Sequence, residues 1–529
     1  MTGASSISNA DPANSFAAIP DLLHAHAKSR PENIALIQDG REITYSALDG
    51  MANRVAAALQ RDGVRPRDLI AICAAISLDY VVIFLGALRV GAGVAPLPGP
   101  FGPRSVASMI ADTNASKVFL DRSTAEALRS EVSLSIAPIL IDAEEHAGLE
   151  AWMAESGSVP AAVNLQPDWP FNVIYSSGTT GNPKGIVQSH AFRWSNVRRA
   201  SRNGYDHESV TLLSTPLYSN TTLATLVGAL GMGGTVLLMG KFDTDGYLAL
   251  AQRYRATHTM LVPIQYQRLL ANENFGRIDL SSFKMKFSTG APFPQALKEQ
   301  VLRRWPGGLI EIYGLTEGGA TCVLEAHKIP HKLHTVGIPL PGHDLRVIDA
   351  EGRELASGET GEIVGHSPAM MSGYLNQPTK THEAQWWDAG GKRFIRSGDI
   401  GRVDSDGFVM LLDRKKDLII SGGFNIYPSD LEAVLREHPD IGEAAVFGVS
   451  STRWGETPAA CVVLKPAARV DAAALTLWAN QRLGKMQGIS AMKIMRSLPR
   501  NAAGKVLKRE LRDSFAPRQD SASVRLPAN

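Results

Sequence analysis

Leu48, Ala52, Val55 and Leu59 recur three or four positions apart, the spacing that lines apolar side chains along one face of a helix. Ser46 stands ahead of this run as an N-cap and Gly63 ends it, so a helix is predicted between them. Asp68-Leu-Ile-Ala-Ile-Cys73 then reads as a buried strand, followed by a helix around Tyr80 to Val90 and a short strand near Val94. The same rhythm returns from Thr211 to Met239 and from Thr257 to Phe287, and Phe171-Asn-Val-Ile-Tyr175 is another buried strand. Strands alternating with helices in this way predict an α/β architecture with largely parallel sheets.

Between about Val336 and Met410 the pattern changes. Short strands such as Leu345–Asp349 and Glu362–Val364 are separated by Gly, Pro and Asp turns, which predicts a small β-rich subdomain over 336–412. After the charged run Arg414-Lys-Lys-Asp417 a separate α+β domain is expected, with a helix through Leu431, Val434 and Leu435 and strands at Ala444–Phe447 and Ala460–Leu464. Small polar residues fill 1–14 and a polar tail fills 517–529, and both are expected to be disordered.

At 529 residues the chain exceeds what one hydrophobic core supports, so two or more domains are required. A formal net charge of +2 offers no basis for a nucleic-acid groove or a polybasic membrane patch. The strongest apolar run, Tyr80 to Leu88, is about half of a membrane span, and the N-terminus carries no secretory pattern. Cys73, Cys322 and Cys461 are far apart and odd in number, as expected of reduced thiols in a soluble cytoplasmic protein. His327, His331 and His334 have helical spacing, but Pro330 interrupts the helix that three metal ligands would need, so a loop is expected there.

The chemistry concentrates in Tyr175-Ser-Ser-Gly-Thr-Thr-Gly-Asn-Pro-Lys-Gly185, which follows the strand at Phe171. Ser176, Ser177, Thr179 and Thr180 supply hydroxyls and Lys184 supplies a cation. Gly178, Gly181 and Gly185 remove Cβ atoms from the path of phosphate oxygens. Pro183-Lys184 stands where a Walker A loop has Gly-Lys-Ser/Thr, so this is a different phosphate-binding loop.

This loop resembles the phosphate-binding signature of the adenylate-forming enzymes, a family of acyl-CoA and aryl-CoA synthetases, peptide-synthetase adenylation domains and beetle luciferases. Tyr313-Gly-Leu-Thr-Glu317, Ser397-Gly-Asp399, Asp413–Asp417 with Ser421-Gly-Gly423, and Asn501-Ala-Ala-Gly-Lys505 are similar to later motifs of the family, in its order. The resemblance implies a large N-terminal adenylation domain over 15–415 with layered α/β subdomains, and a small mobile C-terminal α+β domain over 416–516. It implies ATP and Mg²⁺ as cofactors, CoA as co-substrate and a small carboxylic acid as substrate, with a carrier-protein thiol as the alternative acceptor. A luciferase-like oxygenase and a nucleotide-binding module without turnover are the more distant readings.

By this resemblance Lys505, Thr180 and Glu317 are catalytic, and Glu317 also holds the metal, since Mg²⁺ prefers carboxylate and phosphate oxygens. Ser176 to Gly181 and Lys184 hold the phosphates, with Thr316 beside the α-phosphate. Adenine lies between Tyr313-Gly314 and Gly290-Ala291-Pro292. Asp399 and Arg414 bind the ribose, Ser421-Gly422-Gly423 border the pantetheine, and Lys416 is the hinge about which the small domain rotates. Thr316-Glu317 also reads as a capping pair opening a helix. Tyr218, Ser219 and Asn220 are expected to line the acid pocket. Ser219 stands where many relatives carry a histidine, which leaves fatty and aromatic acids both open.

Overall fold

A computed structural model of the chain describes residues 16–131, 134–143, 148–176, 183–421, 424–451, 454–466, 468–484, 487–501 and 504–515. Contacts divide it into two units. One comprises the chain to Arg346 with Val364–Ser397 and Asp406–Val409; the other comprises Val347–Ile363, Gly398–Ser405 and the chain from Met410 onward.

The first unit is built on two sheets. The nine-stranded sheet runs Ile338–Pro339, Gly318–Glu325, Gly308–Leu315, Met285–Ser288, His258–Leu261, Val210–Leu213, Thr235–Leu238, Ile34–Gln38, Arg41–Thr44. Its interior pairings from Gly308–Leu315 to Ile34–Gln38 are all parallel, and antiparallel strands finish both edges. The seven-stranded sheet runs Gly373–Tyr374, Lys184–Ser189, Pro170–Ser176, Gly93–Pro96, Leu69–Cys73, Lys117–Leu120, Ile139–Leu140. Its first two pairings are antiparallel and the rest parallel. The α/β class expected from the alternating pattern is observed.

One apolar core takes side chains from strands of both sheets and from the helices Tyr45–Arg61, Leu78–Arg89, His190–Arg202 and Asn220–Gly231. Being covered on every side explains why Tyr80 to Leu88 is buried all round rather than striped. No helix among the described residues is long and apolar enough to cross a membrane. The helices His190–Arg202 and Asn220–Gly231 approach closely because Gly228 and Gly231 face Ala200 and Val197. A Cβ at Gly231 would lie 2.7 Å from Val197 Cγ2.

The helix expected from Leu48 to Leu59 spans Tyr45–Arg61, but its cap is Thr44, whose hydroxyl accepts from Ala47 N–H at 3.2 Å. Thr44 ends a strand in extended backbone, which is what a capping residue needs; Ser46 already lies inside the first turn. The β-rich stretch appears as the strands Asp344–Ile348, Gly361–His366, Gln385–Trp387, Arg393–Val403 and Val409–Arg414.

In the second unit a sheet orders Phe424–Ile426, Ile419–Ser421, Gly455–Leu464 and Ile441–Ser451, with Ala491–Met495 pairing parallel to Gly455–Leu464. The helices Pro428–Arg436 and Ala472–Asn480 bury Leu431, Leu435, Leu475 and Ala479 in its core.

Candidate active site

In the first unit, the strand Pro170–Ser176 ends at Ser176, and the chain re-enters the sheet at Lys184, the residue paired with it. Ser177, Gly178, Thr179, Thr180 and Gly181 lie outside the described residues. The two-residue strand Gly373–Tyr374 pairs with Ile186 and Val187 on the far side of Lys184–Ser189. It brings Tyr374 between two charges. The Lys184 ammonium stands 4.9 Å from the centre of the Tyr374 ring, and the Tyr374 hydroxyl donates to Glu317 Oε1 at 3.0 Å. Burial, then the Glu317 charge, raises the Tyr374 phenol above its usual range, so it remains a donor.

Gly185 belongs to this packing and not to phosphate access. A Cβ there would lie 2.9 Å from Val173 Cγ1 and 3.1 Å from the Tyr175 ring.

Thr316 and Glu317 open no helix. They form the turn between the antiparallel strands Gly308–Leu315 and Gly318–Glu325, because Gly318 at φ +84° lets the chain reverse. A Cβ at Gly318 would sit 2.1 Å from Ala369 O, and Met371 N–H donates to Glu317 O at 2.8 Å. The turn is thereby fixed against the segment that carries Tyr374. Glu317 is only partly buried, and Tyr374 engages Oε1. An oriented carboxylate of this kind fits a magnesium ion that takes its remaining ligands from phosphate and water.

Behind the turn lies a buried polar network that the motifs did not announce. Gln188, fully buried, donates from Nε2 to Thr316 O at 2.7 Å and to Asn220 Oδ1 at 3.1 Å. Its Oε1 accepts from Asn172 at 2.9 Å and from Arg193 Nη2 at 2.5 Å. Arg193, also fully buried, donates further to Asn172 Oδ1 at 2.7 Å and Asn196 Oδ1 at 3.3 Å. Burial pushes its guanidinium down to about 9. Gln188 therefore connects Thr316 to Asn220 at the start of the helix Asn220–Gly231. Beside it, His190 packs edge-on to Phe171 at 5.1 Å, and burial lowers it to about 4, a neutral core imidazole.

Tyr313 is the last paired residue before the turn bulge, opposite Cys322, and is half-buried. Gly290-Ala291-Pro292 follows the neighbouring strand Met285–Ser288, with Gly290 at φ +86°. Both predicted nucleotide walls thus leave adjacent strands at the same end. Gly314 is exposed, and a Cβ there would meet Thr321 Oγ1 at an ordinary 3.5 Å. Ser219 is the N-cap position of the helix Asn220–Gly231, and Tyr218 is half-buried, with its phenol raised mainly by burial.

In the second unit, buried Asp399 pairs with Arg414 Nε at 2.6 Å. Lys415 pairs with buried Glu362 at 2.9 Å. Lys416 is exposed in the short 3₁₀ turn Lys415–Asp417. Ser421 is buried at the end of Ile419–Ser421, while Gly422 and Gly423 lie outside the described residues. Lys505 sits in a loop closed on itself. Asn501 Oδ1 accepts from Lys505 N–H and Asn501 N–H donates to Lys505 O, both at 2.9 Å. Burial first, then Arg414 and Lys416, lower the Lys505 ammonium to about 8, against the opposing pull of Asp399 and Asp417. The three residues expected at the sugar and the reacting acid, Asp399, Arg414 and Lys505, therefore share one electrostatic environment.

Tyr374, Gln188 and Arg193 escaped the sequence reading. For Arg193 a signal existed: it falls on a helix face shared with Val197 and Ala200, where an arginine must be buried and supplied with acceptors.

The family profile described as "AMP-binding enzyme" matches residues 23–375, and that described as "AMP-binding enzyme C-terminal domain" matches 430–505. The chain is 31% identical over 502 residues to the fatty acid–[acyl-carrier-protein] ligase ScoC of Streptomyces coeruleorubidus, covering 93% of this chain and 95% of that protein. It is 31% identical over 509 residues to feruloyl-CoA synthase of an Amycolatopsis species, covering 92% and 97%. Among solved structures it resembles the o-succinylbenzoate CoA synthetase MenE of Bacillus subtilis in complex with its acyl-adenylate intermediate. That match has a TM-score of 0.81 and 28% identity, covering 94% of this chain and 99% of that one.

Proposed function

The chain belongs to the AMP-binding enzyme family, and from that membership we propose that it is an ATP-dependent carboxylate:CoA ligase working through an acyl-adenylate. A carboxylate oxygen attacks the α-phosphorus of ATP as the bond to pyrophosphate breaks. The thiol of CoA then loses its proton and attacks the acyl carbon, and AMP leaves. Both partners of the first step are anions, so the site must supply positive charge and fixed donors.

The observation that carries this reading is the array Lys184–Tyr374–Glu317, set beside Ser176 and Thr316 on strands that share one end of the first unit. Lys184 and Ser176 engage the phosphates. Glu317, oriented by Tyr374, holds Mg²⁺, which when bound neutralises phosphate charge. Gln188 fixes Thr316 and Asn220 relative to each other, so the donor side of the nucleotide and the entrance of the acid pocket keep their spacing. Asp399 with Arg414 takes the ribose hydroxyls, and Lys505 meets the negative charge that develops as the carboxylate joins the phosphorus. Lys416 serves as the hinge between the two half-reactions.

Acid-dependent release of AMP and pyrophosphate from ATP, with acyl-CoA identified by mass, tests the proposal. ADP as product, or AMP formation indifferent to every acid in a broad panel, refutes it. A carrier-protein thiol is the second acceptor to try, because a carrier-protein ligase is among the relatives at 31% identity.

A further inference from the structure

Between the helices His190–Arg202 and Asn220–Gly231 and the sheet strands beside them lies a small cavity of about 30 Å³, partly open to solvent. One wall is apolar, made by Met260, Phe287 and Ile312, and the ring of Tyr205 stacks on Phe287 at 6.0 Å. The helix His190–Arg202 contributes Asn196 and Arg199 to the other wall. Among the described residues no carboxylate lines the space.

Arg199 is the unusual member of this lining. A guanidinium carries five N–H donors and no acceptor, yet among the described residues Arg199 makes no hydrogen bond and no ion pair. It stands in the last turn of its helix, where free carbonyls favour a cation. It donates to none of them, so that position does not account for it. Burial lowers its guanidinium from the usual arginine range, and the group that opposes this is the Tyr205 phenol, itself kept neutral by burial. The surroundings are otherwise positive. Arg193, six residues earlier on the same helix, commits its donors to Asn172, Gln188 and Asn196, and finds no carboxylate. His343 is lowered to about 4 by burial, then by Arg199 and His366, and offers no negative charge either. Asn196 Oδ1 accepts from Arg193 at 3.3 Å, which leaves Asn196 Nδ2 as a second donor without a partner among the described residues. Donors of this kind, around an uncompensated cation and out of bulk water, are satisfied best by an anion.

We propose that this cavity is a binding site for one small monovalent anion of chloride size, held by the Arg199 guanidinium and by Asn196 Nδ2. Size sets the class. A single water needs about 10–15 Å³ of such space, so the cavity takes roughly two water-sized bodies, a halide and one water. A multi-oxygen anion such as sulfate or a nucleotide phosphate exceeds that room. The site goes beyond the ligase reading and does not depend on it.

Thermal unfolding of the full chain tests the proposal, in sodium chloride against sodium gluconate at equal ionic strength, for the wild type and for Arg199→Met. Gluconate is too large for the cavity, and general salt effects act alike on both proteins and cancel in the comparison. At about 200 mM salt the chloride-minus-gluconate difference in melting temperature should be about one to two degrees more positive in the wild type, as for a site with a dissociation constant of about 10 mM. Equal differences in the two proteins overturn the proposal. Wild-type crystals soaked in about 0.5 M sodium bromide, in excess of that dissociation constant, should show an anomalous peak within hydrogen-bond reach of Arg199. A cavity that holds only water there, or bromide only at other surface positions, overturns it too. A bromide peak without the difference in melting temperature marks an adventitious ion only and counts against it. Should Arg199→Met fail to fold, the bromide map decides alone.

Discussion

Raising the pH is the sharpest perturbation of Lys505, because its ammonium is lowered to about 8, mainly by burial and by Arg414. The sign follows from its role: the charged form does the work, and the charge is present below that value and lost above it. With the group at about 8, roughly nine-tenths of the enzyme carries the charge at pH 7 and roughly one-tenth at pH 9. The rate of adenylation should therefore fall about tenfold over that interval. A lysine at its ordinary value near 10.4 would lose only a few per cent of its charge. The assay is acid-dependent ATP–pyrophosphate exchange without CoA, read as kcat/KM for ATP, which reports the free enzyme and avoids ionisation of the acceptor thiol. Lys505→Arg keeps its charge throughout, so its profile should lose the alkaline limb while its plateau drops. A limb that stays in Lys505→Arg, or one that first appears near pH 10 in the wild type, refutes the reasoning.

Other substitutions separate function from packing. Gly314→Ala should leave the melting temperature within about a degree, since its Cβ meets only ordinary contact at Thr321, while raising the KM for ATP if nucleotide lies against that backbone. Tyr374→Phe removes one hydrogen bond to a carboxylate, worth about 1.5–3 kcal/mol. It should raise the Mg²⁺ concentration needed for half-maximal exchange more than it alters urea stability. Gln188→Leu leaves Arg193 and Asn172 each short of an acceptor, and Thr316 O and Asn220 Oδ1 each short of a donor. A loss of about 2–4 kcal/mol in urea unfolding is expected, with exchange reduced in the protein that remains folded. Lys505→Ala should abolish exchange yet still convert supplied acyl-adenylate to thioester; exchange at the wild-type rate would reject its assignment.

What the sequence disclosed was whatever depends on neighbours in the chain. The helix at Leu48–Leu59, the strand at Phe171–Tyr175 and the candidate residues Lys184, Glu317 and Lys505 were visible because local periodicity or one short motif contains them. The pieces that escaped depend on partners far along the chain. Tyr374 matters only because its strand lies beside Lys184–Ser189 while its hydroxyl reaches Glu317, 57 positions away. Gln188 takes its meaning from Thr316, 128 positions on. Thr316-Glu317 carried a capping pattern that tertiary packing overrode, because Gly318 turns the chain back into a hairpin.

The central claim, that the acid is activated by joining it to the α-phosphorus of ATP, is tested most directly by following oxygen. Carboxylic acid labelled with ¹⁸O in both carboxylate positions should yield AMP bearing one labelled oxygen per turnover and an acyl-CoA that keeps the other. AMP without label, or label in pyrophosphate or inorganic phosphate, would contradict an acyl-adenylate.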